Sequence, residues 1–242
     1  MSRLERACFR SVLRAGHPLV LYCYDAPEGI PEGVEVRDAA TILPRERIIR
    51  HRNGSVSLFS NWFRYELQRR EAGIWIDSDV YLLRAITDDR PFLFGYEDAG
   101  TINTAILRLP PDSPLLDRLI RIFDEDSVPA WIPARYRLTA WWRLKTQGRS
   151  GLSLMPWGVA GPRALTALAT EEGVAHWALP PEIFYPLHYS EARRILDPEV
   201  SLADITASDS VAVHLWNENI KHYKDAPAPP GSFLARLQAE GA

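Results

Sequence analysis

Apolar positions along the first third of the chain alternate between two periods. Leu4, Cys8, Val12 and Leu13 recur at helical spacing and stop at Gly16, which predicts an opening helix over residues 2–15. The unbroken run Pro18-Leu19-Val20-Leu21-Tyr22-Cys23-Tyr24 then predicts a buried strand, a Pro/Gly-rich loop follows at 26–33, and Val34-Glu35-Val36 predicts a second short strand. Residues 55–71 return to helical spacing, with Val56, Phe59, Phe63 and Leu67 as the apolar stripe. Behind Gly73, the run Ile74-Trp75-Ile76 reads as a buried strand, while Phe92–Asp98 and Thr101–Leu107 read as two strands joined by a tight turn. Leu115, Leu116, Leu119, Ile120 and Phe123 predict an amphipathic helix, Gly161-Pro162 opens another through Leu168, and Val211–Asn217 reads as a strand ending in polar groups. This alternation indicates an α/β fold with a mixed sheet flanked by helices. The expected organisation is one domain over 1–225, followed by a proline-rich linker and a last short helix over 226–242.

One polar interruption of this pattern carries candidate chemistry. Asp77 and Asp79 follow Ile76 one residue apart, and in an extended chain residues i and i+2 face the same side. Two hard oxygen ligands at the carboxyl end of a strand suit a divalent cation, Mn²⁺ or Mg²⁺, and through it a diphosphate. A second acidic run, Asp124-Glu125-Asp126, follows an amphipathic helix rather than a buried strand and is expected to be solvated surface.

Composition narrows the setting. At 242 residues and a net charge of −3 the chain offers no general attraction to nucleic acid. Cys8 and Cys23 show no CxxC spacing and fit a reducing compartment. No run of about 18 apolar residues appears, so a cytoplasmic protein is expected. Charge is uneven, however: between Ser127 and Thr170 there is no acidic residue, while six basic residues alternate with Trp131, Tyr136, Trp141, Trp142 and Trp157. The stretch 131–149 could face an acceptor sugar or a lipid headgroup layer, at the inner membrane face, or simply bury its tryptophans and solvate its arginines.

The run Ser60-Asn61-Trp62-Phe63-Arg64-Tyr65, followed by Ala72-Gly73-Ile74-Trp75-Ile76-Asp77-Ser78-Asp79, resembles the DXD-containing sugar-binding region of glycosyltransferase family 32 and the related α-1,4-glycosyltransferases. Asn103 in Asn103-Thr104-Ala105-Ile106, the Gly161-Pro162 helix start, Phe184-Tyr185-Pro186 and His214-Leu215-Trp216 match further elements in order. The resemblance implies a GT-A-like (Rossmann-like) fold and a metal-dependent transfer from a nucleotide-sugar donor to a carbohydrate or glycolipid acceptor with retention of configuration. It also implies roles: Asp79 on the metal, Asp77 on ribose or metal-bound water, Arg64 and Asn61 on the sugar and phosphate side. Asn103 would lie near the donor sugar, and His214, Trp216 and Asn217 close to the metal and diphosphate. Apart from the resemblance, Glu97 and Asp98, at the turn between two strands, could contact acceptor hydroxyls or simply be solvated turn residues.

The chain departs from the family at two places. Asn61 stands where the family usually has Asp. The strand that precedes the first helix in the family has no counterpart, because Met1 leads at once into Ser2-Arg3-Leu4-Glu5-Arg6. A sheet lacking that strand is expected, either because translation starts further upstream or because the chain is a weakened, non-catalytic nucleotide-sugar binder. A phosphatase of the haloacid dehalogenase type also uses Asp-x-Asp after an apolar strand, but Lys145, Lys221 and Lys224 lack the context that chemistry needs.

Overall fold

The computed structural model describes residues 1–51, 53–124, 128–156, 158–224 and 226–242, with backbone alone at 148–150. The chain forms a mixed α/β fold of small sheets flanked by helices, consistent with the GT-A-like class expected. It divides into two compact units, one made of Met1–Asp38, Ile76–Asp89 and Leu179–Ala242, the other of Ala39–Trp75 and Arg90–Ala178.

In the first unit, helix α1 (Arg3–Arg14) starts at a capping box, in which Ser2 Oγ accepts from Glu5 N and Glu5 accepts from Ser2 N. Strands β1 (Leu19–Cys23) and β2 (Val34–Asp38) pair in parallel, Leu19 opposite Val34. Every β1 residue is only half-buried, which corrects the expectation of a buried strand: a two-stranded sheet leaves its outer surfaces open.

In the second unit, helix α2 (Ser57–Arg69) leads to strand β3 (Trp75–Ile76), through which the chain passes into the first unit. Strand β3 is two residues long and half-buried, shorter and more open than the buried run that was expected. Strand β4 (Val80–Leu82), in the first unit, is fully buried. Strands β5 (Leu93–Tyr96) and β6 (Ile102–Arg108) form the expected antiparallel hairpin of the second unit, and helix α3 (Pro114–Arg121) follows behind a Ser113 cap. Helices α4 (Ala134–Gln147) and α5 (Pro162–Glu171) complete that unit. Its core is dense in large rings: Trp62 stacks on Phe123 with centroids 5.1 Å apart, and the buried Tyr65 donates to Ala160 O at 2.9 Å. Val56, assigned to the apolar stripe of α2, is instead 42% exposed, because it precedes the helix as its cap residue.

The remaining elements belong to the first unit: short helix α6 (Pro181–Phe184), strand β7 (Ala212–His214), short helix α7 (Asn217–Ile220) and helix α8 (Phe233–Glu240). Phe184 and Tyr185 are buried, as their reading as packing residues requires. Phe233, Leu234 and Leu237 of α8 share a core with Leu4, Ala7 and Cys8 of α1, so the last helix is part of this unit's core. Tyr81 of β4 ties the three together. Its hydroxyl donates to Glu240 at 2.8 Å and accepts from Arg14 at 2.6 Å. Both cysteines are free. Of the second acidic run, Asp124 is exposed, as expected, while Glu125 and Asp126 lie outside the described residues, as does Trp157.

Candidate functional site

In the first unit, β4 and β7 run antiparallel with Val80 opposite His214. The ladder continues one step beyond the strands, Leu215 N donating to Asp79 O at 2.9 Å. That register brings His214 beside the aspartate, Nε2 lying 3.3 Å from Asp79 Oδ1. Helix α1 closes the other edge of β4: the Leu82 amide donates to Ser11 Oγ at 2.8 Å, and that hydroxyl donates to Cys8 O at 2.6 Å.

Asp77 and Asp79 do not sit on an extended strand end, which corrects the sequence argument for their pairing. Ser78 and Asp79 form a turn, closed by Val80 N donating to Asp77 O at 3.1 Å. The turn still gathers the two carboxylates: Asp77, Asp79 and His214 each offer one ligand atom, all within 4.8 Å of one another.

Trp216 makes the geometry possible. Its backbone is left-handed, φ 53° and ψ 58°, a conformation that costs a non-glycine residue on the order of 1–3 kcal/mol. The ring holds it there: Nε1 donates to Leu187 O at 2.7 Å, and its centroid lies 4.1 Å from that of His214 and 5.9 Å from that of Tyr189. The reversed backbone aims Asn217 N at Asp79 Oδ2, 2.8 Å away. Burial would push the Asp79 carboxyl up; the neighbouring charge and hydrogen bond of His214, with the Asn217 amide, outweigh it and hold the group below the usual carboxylate range.

The cluster fits a divalent cation. Two carboxylates and an imidazole form a mixed hard-oxygen and nitrogen donor set. Asn217 Oδ1 is buried beside them with no hydrogen-bond partner among the described residues, an acceptor in need of a positive group.

The other predicted residues belong to the second unit, where the structure brings them together in two groups. Arg64, on α2, donates to Ser60 O at 3.3 Å, to Ser60 Oγ at 3.2 Å and to Thr104 O, and its guanidinium lies 4.8 Å over the Trp75 ring. Ser60 and Arg64 therefore meet through the i, i+4 spacing of the motif itself. Asn103, on β6, donates to Glu97 and accepts from Ala105 N at 2.7 Å. Asp98 caps the hairpin turn, its Oδ1 accepting from Gly100 N at 2.9 Å and from Thr101 N at 2.7 Å.

Two residues of this unit carry more than the sequence showed. Gly161 approaches the Asn61 amide so closely that a Cβ there would lie 2.8 Å from Nδ2. Only glycine fits before the Pro162 helix start while Asn61 keeps its place. Gln68 bridges two segments, donating to Gly73 O at 3.1 Å and accepting from Leu109 N at 3.0 Å. The i+4 spacing of Gln68 from Arg64 was the available signal for the second residue; nothing in the sequence pointed to the first contact.

Comparison with known families places part of the chain. Residues 156–240 match the family model of the alpha 1,4-glycosyltransferase conserved region, and this supports an α-1,4-glycosyltransferase and hence a transferase. His214, Trp216, Asn217 and the Gly161-Pro162 pair lie inside that match; Asp77 and Asp79 lie before it. No curated protein and no solved structure matches the chain.

Proposed function

We propose that the chain is a metal-dependent glycosyltransferase that takes its sugar from a nucleotide-diphosphate donor and passes it to a hydroxyl of a carbohydrate or glycolipid acceptor, with retention at the anomeric carbon. The observation that carries the reading is the convergence of Asp77, Asp79 and His214 beside the backbone of Asn217, in a chain whose C-terminal part matches the α-1,4-glycosyltransferase region. Asp79 and His214 would hold the cation, with Asp77 on the ribose or a metal-bound water. A cation held there supplies positive charge to a diphosphate oxygen as the bond between the anomeric carbon and that oxygen breaks and the electron pair leaves with the diphosphate. The acceptor hydroxyl oxygen would form the new bond to the anomeric carbon, its proton passing to the departing diphosphate oxygen. An imidazole among the ligands favours Mn²⁺ over Mg²⁺, which prefers an all-oxygen octahedron.

In the chain itself, the Asn217 N–H holds Asp79 charged and oriented, and Trp216 holds Asn217. Arg64, Asn61 and Asn103 are assigned to the donor sugar and phosphates, Glu97 and Asp98 to acceptor hydroxyls. The burial and engagement of Arg64 fit a supporting wall as well as a binding group, so a non-catalytic nucleotide-sugar binder is the second reading. A thermal-shift screen of nucleotide sugars with Mn²⁺, with Mg²⁺ and with chelator tests the proposal, because a ligand that binds only the folded state raises its stability. Stabilisation by a nucleotide sugar only when Mn²⁺ is present is the expected result. Equal shifts with chelator would remove the cation from the reading, and stabilisation without sugar transfer to any acceptor in a glycan array would favour the second one.

A further inference from the structure

Helix α4 buries Ala140 and Leu144 and turns a face of another kind to solvent. Leu138 is 78% exposed, Trp141 51% and Trp142 57%. Arg135, Leu138, Trp142 and Lys145 follow at intervals of three, four and three residues, so they line one stripe on the side away from the two buried residues. Trp141 flanks that stripe. Indoles are normally well buried, and two adjacent ones beside an exposed leucine make an apolar patch that invites an occupant.

The charge around the patch identifies the occupant. From Val128 to Thr170 the sequence contains no Asp or Glu, in a chain whose net charge is −3. Arg135 and Lys145 stand at the two ends of the stripe, Arg135 stacked 4.8 Å over Tyr136. Arg137 donates to the carbonyls of Ala130 and Ile132, and Arg143 donates to Leu154 O at 2.8 Å, so both add positive charge while anchored to the backbone. A sugar-binding platform would need acceptors for hydroxyl protons, and the side chains of the stripe, Arg135, Leu138, Trp142 and Lys145, carry none; its most exposed apolar side chain, Leu138, offers a sugar nothing. A second copy of the same face would meet it cation against cation.

We infer that the Arg135–Leu138–Trp142–Lys145 stripe of α4, with Trp141, docks on an anionic lipid bilayer. Leu138 and the two indoles enter the interfacial layer, where an aromatic ring buries its body and keeps its N–H near water. Arg135 and Lys145 lie against the lipid phosphates, their aliphatic stems along the apolar boundary. No helix of the described residues is long and apolar enough to cross a membrane, so the contact is a surface one. The inference rests on α4 alone and is independent of the metal cluster.

The test is sedimentation of the full chain with phosphatidylcholine vesicles, with and without phosphatidylserine, followed also by tryptophan emission. Binding is expected to be at least about tenfold tighter to the anionic vesicles and to weaken as salt rises. The double change Arg135→Glu with Lys145→Glu should lose about tenfold, and Leu138→Ser with Trp142→Ser should lose both binding and the blue shift of emission. These side chains are exposed, so thermal melts should be unchanged; should the apolar double variant melt lower, the charge-reversal pair and the single Leu138→Ser carry the comparison. Equal affinity for neutral and anionic vesicles, no affinity for either, or binding untouched by the charge reversal would overturn the inference. So would a dimer in size-exclusion chromatography that Leu138→Ser dissolves, or a response to oligosaccharides in place of vesicles.

Discussion

Asp79 in the first unit and Arg64 in the second are both charged and both under a tenth exposed, yet they use burial in opposite ways. Arg64 spends its donors inside the protein, on Ser60 and Thr104, with its face on Trp75. Asp79 takes one backbone hydrogen bond on Oδ2 and faces His214 with Oδ1, which leaves lone pairs of a carboxylate's roughly four for another partner. On the residue whose N–H meets it, Asn217 Oδ1 is buried with no donor among the described residues. The first arrangement makes a wall. The second leaves a cluster that could hold a cation.

The largest expected effect breaks that contrast open. Asp79→Asn should lower metal-dependent affinity for a nucleotide diphosphate by more than about a hundredfold, since even the partners of metal ligands commonly contribute about 10–100-fold. The fold should survive, because an amide oxygen can still accept from Asn217 N. Arg64→Ala should act first on stability, costing about 2 kcal/mol and lowering Tm by about 4–8 °C with or without metal, whether or not donor binding falls as well. Calorimetric titration with Mn²⁺ beside thermal melts separates the two. If Arg64→Ala leaves Tm unchanged and removes binding alone, Arg64 is a ligand-binding group and the contrast fails.

A next, smaller effect concerns what holds the second unit's polar residues in place. Gly161→Ala would drive a methyl group to within 2.8 Å of the Asn61 amide, which is buried and short. Either the amide or the start of α5 must move, at about 1–3 kcal/mol. Asn61→Asp keeps the shape, adds charge, and is expected to change donor preference more than stability. A panel of nucleotide sugars measured against melting temperature distinguishes them. An unchanged donor profile for both variants would leave Asn61 a packing residue.

The order of the longer elements was legible because helical and strand periods differ sharply in this chain, as in Leu4-Cys8-Val12 against Leu19–Cys23, whereas the three-residue strand β4 and the short helices α6 and α7 were not read. Asp77 and Asp79, two positions apart, and the distant His214 were named as candidates from the sequence, and they converge within one unit. What the sequence could not show was how they converge. The expectation used the side-to-side alternation of a strand, whereas the protein uses a turn at Ser78-Asp79 and a left-handed residue at Trp216. Backbone reversals at non-glycine residues leave no pattern in composition, since any ring well enough held can enforce one. The Gly161–Asn61 approach was hidden for a related reason: a glycine required by a side chain 100 positions away looks like any other glycine.

Acid should weaken the first unit by a route that this same site sets. Burial raises the Asp79 carboxyl and His214 with the Asn217 amide lowers it further than that, so its pKa falls on folding. A depressed carboxylate contributes stability that is present above the unfolded value, about 3.9, and is lost as pH drops through the lower folded one. Glu5 and Glu240, in the same unit, are also held low, each against the upward push of burial, by Ser2 and Lys224 and by Arg236 and Tyr81 respectively. From these three carboxyls, stability should fall as pH drops below about 4. Asp79→Asn should flatten that fall. An acid limb as steep as in the parent would show that His214 and Asp79 are not paired in solution.

The smallest expected effect is the sharpest control on the comparison. Asp124 is also an aspartate in a short acidic run, which it opens, and counted by charge alone it rivals Asp79 as a cation ligand. Its surroundings differ in every respect that matters: the carboxylate is exposed, and its ion pair with Arg47 is long at 3.9 Å, with about half of each side chain in solvent. Exposed pairs of that kind contribute about 0–1 kcal/mol, because water screens the attraction and two long side chains must be ordered to make it. Arg47 is held without it, its guanidinium lying 4.6 Å over the Trp62 ring. Asp124→Asn should thus move Tm by no more than about 1–2 °C and leave Mn²⁺-dependent nucleotide binding at the parent's value. If it weakens that binding as much as Asp79→Asn does, the response to metal is a property of acidic surface in general, and the buried cluster of Asp77, Asp79 and His214 loses its claim to the cation.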